Sequence, residues 1–229
     1  MTRLAGVTTP GLLALVGGGE WRPGCDFDAR LLEASGGREI LVLPTAAAYE
    51  HPERSVESAA RWFEALGATV RGLPVLRRPD AEDDTYVKAV SEARFVYIGG
   101  GSPLHLRSVL KSSPLWDALV GAWRGGAVLA GSSAGAMVLT DPMVDPRGGA
   151  FTLGLGLVSQ VAVIPHADSW SHDKSHRTIS LAPADLPLVA IDERTAIILE
   201  PGTGWTAAGA GTVRVWRNGA EATLDALPT

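Results

Sequence analysis

Three segments carry residue types and spacings able to do chemistry. The first is Ala127-Val-Leu-Ala-Gly131-Ser132-Ser133-Ala134-Gly135-Ala136, a Gly-x-Ser-x-Gly pattern between an apolar run and a helical one. That context suits a nucleophile elbow, in which a sharp strand-to-helix turn pushes a serine hydroxyl outward. Ser133 is the candidate nucleophile. Gly131 and Gly135 leave room for the helix to cross, and the Ala134 amide, near the helix N-terminus, faces where an oxyanion would develop. The plainer alternative is a Gly/Ser-rich turn that only lets strand and helix approach.

A serine nucleophile needs a base, and a base needs a carboxylate to orient it. Among the five histidines, His166 closes the apolar run 161–165 and so belongs at a C-terminal sheet edge, where α/β active sites assemble. His51 lies in a turn before a helix and His105 one turn into another, which suits structural roles. Asp141 and Asp145 stand between the serine and the histidine, and Asp168 two residues beyond it. Any of the three can reach; Asp141 and Asp145 can equally cap turns before their prolines.

The third segment is Phe95-Val-Tyr-Ile-Gly99-Gly100-Gly101-Ser102-Pro103-Leu104, another strand ending in glycines. A glycine amide here can supply a second oxyanion donor, a contribution of about 2.7–4 kcal/mol to the transition state. Neither this loop nor residues 17–22 complete Gly-x-Gly-x-x-Gly, and no Gly-Lys-Ser/Thr follows, so no dinucleotide or phosphate loop is expected. A rival use of the histidines is metal chemistry. His166, Asp168, His172 and His176 fall within eleven residues, and His172 and His176 are one helical turn apart. A metal-dependent amidohydrolase built on those four, or a non-catalytic small-molecule-binding domain of the same fold, are the two alternatives. An ordinary α/β-hydrolase has the same Ser-Asp-His order, but the short step from Ser133 to His166 leaves no room for its intervening strands.

These residues need elements to hold them. Apolar runs at 12–16, 40–43, 70–75, 95–98 and 127–130 read as buried strands, and 27–34 (with Asp26 as N-cap) and 52–66 as amphipathic helices. Buried strands separated by helices indicate a mainly parallel sheet covered on both faces, an α/β class. Further strands at 161–164, 188–191, 195–199 and 213–216, the last before the hairpin signal Asn218-Gly219, are expected to add antiparallel strands to one edge. One domain over 1–229 fits the length of 229 residues.

With 46% apolar residues the chain is not a disordered one, and its net charge of −5 argues against nucleic acid as a partner. The single cysteine, Cys25, excludes a disulfide framework and a Cys-based zinc site, and suits a reducing cytosol. Residues 1–10 lack the features of a signal peptide, and the apolar run 12–16 is too short to cross a bilayer, so no membrane partner is expected. A cytoplasmic location follows as the expectation.

The segments Leu15-Val-Gly-Gly-Gly-Glu20, Gly99-Gly-Gly101-Ser-Pro-Leu, Gly131-Ser-Ser133-Ala-Gly-Ala, Ile164-Pro-His166 and Ile191-Asp192-Glu193-Arg-Thr195-Ala196 occur in this order over nearly the whole chain. Together they resemble the cyanophycinase and aspartyl dipeptidase family of serine peptidases, whose fold is similar to that of class I glutamine amidotransferases. The resemblance implies Ser133 as nucleophile, His166 as general base, and Gly100 or Gly101 with Ala134 as oxyanion hole. It implies an acid between serine and histidine, for which Asp141 is best placed. It further implies a serine-type exopeptidase or dipeptidase acting on a small peptide, without a cofactor. Ser102, Arg177 and Glu20 are candidates for contacting the substrate and its charged ends, and a homodimer is left open.

Overall fold

The computed structural model describes residues 9–229; the first eight residues of the N-terminal reading lie outside them. The expected strands form first. Leu13–Val16 (β1), Glu39–Leu43 (β2), Thr69–Gly72 (β3), Phe95–Ile98 (β4) and Val128–Ser132 (β5) alternate with helices Phe27–Ser35 (α1), Pro52–Ala65 (α2), Asp84–Ser91 (α3), Pro103–Leu110 (α4) and Pro114–Arg124 (α5). Every residue of β1, β4 and β5 is buried, as a sheet covered on both faces requires. Strand β3 stops short of the expected residue 75 because Pro74, with no N–H, cannot continue the ladder.

After Ala134–Leu139 (α6) the chain forms short pairs, Thr140–Asp141 (β6) with Val158–Ser159 (β9) and Met143–Val144 (β7) with Phe151–Thr152 (β8). Then come Ala162–Ile164 (β10), helix His172–Ser180 (α7), Leu188–Ile191 (β11), Thr195–Glu200 (β12), Gly204–Gly209 (β13), Val213–Arg217 (β14) and Ala220–Ala222 (β15). The main sheet has the order β13-β12-β1-β5-β4-β2-β3. Its five N-terminal strands are parallel, and β12 and β13 join β1 antiparallel. The expected antiparallel addition at one edge is therefore present in β12 and β13 alone. Strands β10, β11, β14 and β15 instead form a second, four-stranded sheet, within which β10 and β11 are parallel. The hairpin at Asn218-Gly219 joins β14 to β15.

This order sets the site. Strand β5 lies between β1 and β4, all three parallel, so the turn after β5 is flanked by the glycine loops that follow its two neighbours. The second sheet brings the C-terminal ends of β10 and β11 side by side, Ile164 opposite Ala190. The expected cap Asp26 makes no side-chain hydrogen bond, whereas Ser102, expected to contact substrate, caps α4 by accepting from the His105 amide at 3.3 Å.

Candidate active site

Ser133 sits where β5 becomes α6, at φ 50° and ψ −107°, a left-handed backbone that a serine adopts only under constraint from its surroundings. The constraint is visible on both sides. A Cβ at Gly131 would lie 2.7 Å from the Gly135 carbonyl carbon, and one at Gly135 would lie 2.6 Å from the Ile98 oxygen. Glycine at both positions is what lets strand and helix cross this closely.

The Ser133 Oγ lies 2.8 Å from His166 Nε2. His166 ends β10 at φ 50°, and its amide donates to the Gly17 carbonyl at 2.7 Å, fastening the end of the second sheet to the loop after β1. The imidazole rests on Gly18, where a Cβ would fall 2.2 Å from the ring Cε1. Only a bare backbone leaves that space.

The carboxylate on the other ring nitrogen is Glu193, whose Oε1 is 2.7 Å from His166 Nδ1. Both side chains are about one third exposed, at 34% and 36%. Glu193 follows β11 as His166 follows β10, so two parallel neighbours deliver the pair. Asp168 Oδ1 accepts the Glu193 amide at 3.1 Å and Arg194 donates its amide to Gly18 at 2.7 Å, holding this turn in place.

Asp141 is not at the imidazole. Its Oδ1 accepts the Gly154 amide at 2.8 Å, and its carbonyl accepts the Gln160 amide, so it organises the loop between β6 and β9. Asp145 pairs with the exposed Arg147 at 3.0 Å, which holds its carboxyl below the usual range. Asp168 stands one step removed, on the backbone of Glu193. The expectation of an acid between serine and histidine fails because that stretch winds through the short pairs β6–β9, while β11 ends beside the histidine. The signal for Glu193 was present in the sequence: a carboxylate just past an apolar strand, the same position that singled out His166.

Gly100 lies against Ser133, a Cβ there falling 3.4 Å from the Ser133 Cβ, whereas Gly101 packs on the Ala46 carbonyl. Glu20 reaches into the same corner: Oε2 accepts from Ser132 Oγ at 2.7 Å and Oε1 from the Gly100 amide at 3.3 Å. Ser102 is committed to its helix cap, and Arg177 lies along Gly149, away from the serine. The candidate metal ligands do not converge. His166 has both nitrogens occupied, Asp168 holds an amide, and His172 and His176 stack on each other at 6.1 Å on α7. Among the described residues no group of three His, Cys, Asp or Glu side chains is arranged to hold a metal ion, and no helix is long and apolar enough to cross a membrane.

A cleft of about 560 Å³ opens beside His166 and Glu193, lined by Glu20, Trp21 and Arg22 from the loop after β1 and by Arg54, Ser58, Arg61 and Trp62 of α2. Beneath it lies Asp28, fully buried with neither oxygen hydrogen-bonded; burial pushes its carboxyl up to about 8, the Trp62 side chain opposing that only in part.

The chain is similar to several known proteins. The model of peptidase family S51 matches residues 13–204. The cyanophycinase of Nostoc sp. strain PCC 7120 is 32% identical over 190 residues, covering 77% of this chain and 62% of that protein. This chain thus spans about three fifths of that relative's length. The cyanophycinase of Synechococcus elongatus is 27% identical over 221 residues, 90% of this chain and 67% of that one. In structure, a peptidase from an acI-B1 actinobacterium superposes with a TM-score of 0.84 at 33% identity, covering 94% of each chain. A peptidase E protein from Listeria monocytogenes EGD-e shares the fold, with a TM-score of 0.69 at 17% identity, over 89% of this chain and all of that one. With a matching family model across most of its length, the chain belongs to peptidase family S51.

Proposed function

We propose that this chain is a serine-type peptidase that hydrolyses an amide bond in a small peptide through Ser133, His166 and Glu193. The observation that carries the reading is the unbroken series of short contacts, 2.8 Å from Ser133 Oγ to His166 Nε2 and 2.7 Å from Nδ1 to Glu193 Oε1. With Glu193 accepting from Nδ1–H, Nε2 is left as the acceptor of the serine proton.

The reaction is acyl transfer to water. Ser133 Oγ attacks the scissile carbonyl carbon as His166 Nε2 takes its proton, and the carbonyl electron pair moves onto oxygen. The amides of Ala134 and Gly100 are the donors for that oxyanion, Ala134 because it begins α6 and Gly100 because it lies against the nucleophile. The Gly100 amide is meanwhile held by Glu20 at 3.3 Å, a long contact that a carbonyl oxygen can displace. Collapse of the intermediate breaks the C–N bond, and His166 delivers its proton to the departing amine. Water, deprotonated by the same imidazole, then attacks the ester carbonyl and frees Ser133. Glu193 keeps the imidazolium oriented throughout and does not take up a proton.

The fit to a short peptide rests on the cleft, whose size suits a few residues. The test is hydrolysis of a dipeptide and tripeptide library by the wild-type chain and by Ser133→Ala. Turnover should fall by several orders of magnitude in the variant while its circular dichroism spectrum is retained. Hydrolysis that survives in Ser133→Ala would refute the proposal.

A further inference from the structure

The cleft beside His166 carries an arrangement that the hydrolytic groups do not use. Helix α2 turns one face into it. Arg54, Ser58 and Arg61 follow at helical spacing of four and three residues, and Trp62 stands beside them. Arg22 comes from the opposite wall, out of the loop after β1. Among the described residues none of these three guanidinium groups forms an ion pair, although Arg30, Arg78 and Arg147 elsewhere each take a carboxylate within 3.0 Å. Arg61 only donates to Ser58 Oγ, at 3.2 Å. The carboxylates that share the cleft do not neutralise them: Glu193 is taken by His166, and Glu20 by Ser132 and Gly100. Three cationic forks therefore face a space in which Glu50 is the one lining carboxylate without a hydrogen bond.

The chemistry also fixes which half of a substrate lies there. The imidazole that takes the serine proton must return it to the departing nitrogen, so the amine half leaves on the histidine side of the nucleophile. The cleft touches His166 and Glu193 and has no wall from Ser133, Ala134 or Gly101. In a dipeptide, the carboxylate of the departing residue is two bonds from the scissile nitrogen, and guanidinium groups bind carboxylates in paired hydrogen bonds.

Resting on the peptidase reading above, we propose that Arg22, Arg54 and Arg61 bind the free C-terminal carboxylate of the departing residue, so that a free acid is preferred to the matching C-terminal amide. A longer peptide places an uncharged amide where the forks expect an anion.

Binding tests this without turnover. The Ser133→Ala chain is titrated by calorimetry with dipeptides having alanine, aspartate or arginine first and glycine or leucine second, each as free acid and as C-terminal amide. Free acids should bind about tenfold tighter than the matching amides, and adding Arg54→Gln with Arg61→Gln should erase that difference. Because these arginines are exposed, the variants should fold; Arg22→Gln alone should narrow the gap as a second check. A further pair, with aspartate as the departing residue in amide form, distinguishes a side-chain carboxylate from the C-terminal one. Equal affinity of acids and amides, a gap that persists in the double variant, rescue of amide binding by the aspartate side chain, or no binding at all would each overturn the proposal. Hydrolysis by the wild-type chain is read separately, so loss of the carboxylate preference and loss of the serine mechanism are distinguishable.

Discussion

His166 is bracketed by a hydroxyl on one nitrogen and a carboxylate on the other, and that pairing decides which tautomer can serve. If Glu193 sets the tautomer, Glu193→Gln should lower kcat by about 10³–10⁴-fold, because an amide can present its N–H to Nδ1 and invert the ring. Asp141→Asn should cost less than about tenfold, since Asp141 only holds the Gly154 amide. Steady-state kinetics of the two variants on one peptide make the comparison, and the reverse ranking would return the role to Asp141. At this scale the meeting of Ser133 and His166 was legible, because each follows an apolar strand. Glu193 satisfied the same criterion, but an acid sought between serine and histidine in the chain diverts attention to Asp141. Order along the chain is a weak constraint where parallel strands bring distant ends together.

The elements matter through their ends. Three glycine-rich turns, after β1, β4 and β5, converge because those strands are adjacent and parallel. Most of the strands were readable from four- and five-residue apolar runs bounded by glycine or proline, whereas β3, expected to be buried, is an edge strand with Arg71 in it and no buried residue. The second sheet was not, since short apolar strands look alike whether they extend an existing edge or begin a new layer. What separates them is the pairing of β11 with β10 and β14, a long-range property absent from local pattern. The loop after β1 yields a prediction of its own. Gly18→Ala puts a methyl group 2.2 Å from the position of the His166 Cε1, so the ring must shift. A displacement of that order should slow peptide turnover by about 100-fold with the fold retained by circular dichroism. Unchanged turnover would mean that the ring is not held by this contact.

Across the whole molecule, two hydrophobic clusters cover the faces of the main sheet, and the buried Asp28 lies near Tyr97 of the one that also contains Trp21 and Phe63. The Asp28 carboxyl is raised from 3.8 to about 8 by burial, so between these values the folded chain binds a proton that the unfolded chain has lost. Stability contributed by the neutral form is therefore lost progressively as pH rises through that window. Asp28→Asn, which stays neutral, should raise Tm by several degrees more at about pH 8 than at about pH 5 in scanning calorimetry; an equal change at both would show that Asp28 is not protonated. A chelator should leave both Tm and turnover unchanged, because the His166, Asp168, His172 and His176 side chains do not converge; a loss of either would revive the metal alternative. The most direct test of the central claim is covalent. Incubation with a fluorophosphonate probe followed by peptide mapping should find the label on Ser133, with labelling reduced at least about 100-fold in His166→Ala. A chain that stays unlabelled, or carries the label on any other residue, would contradict the account.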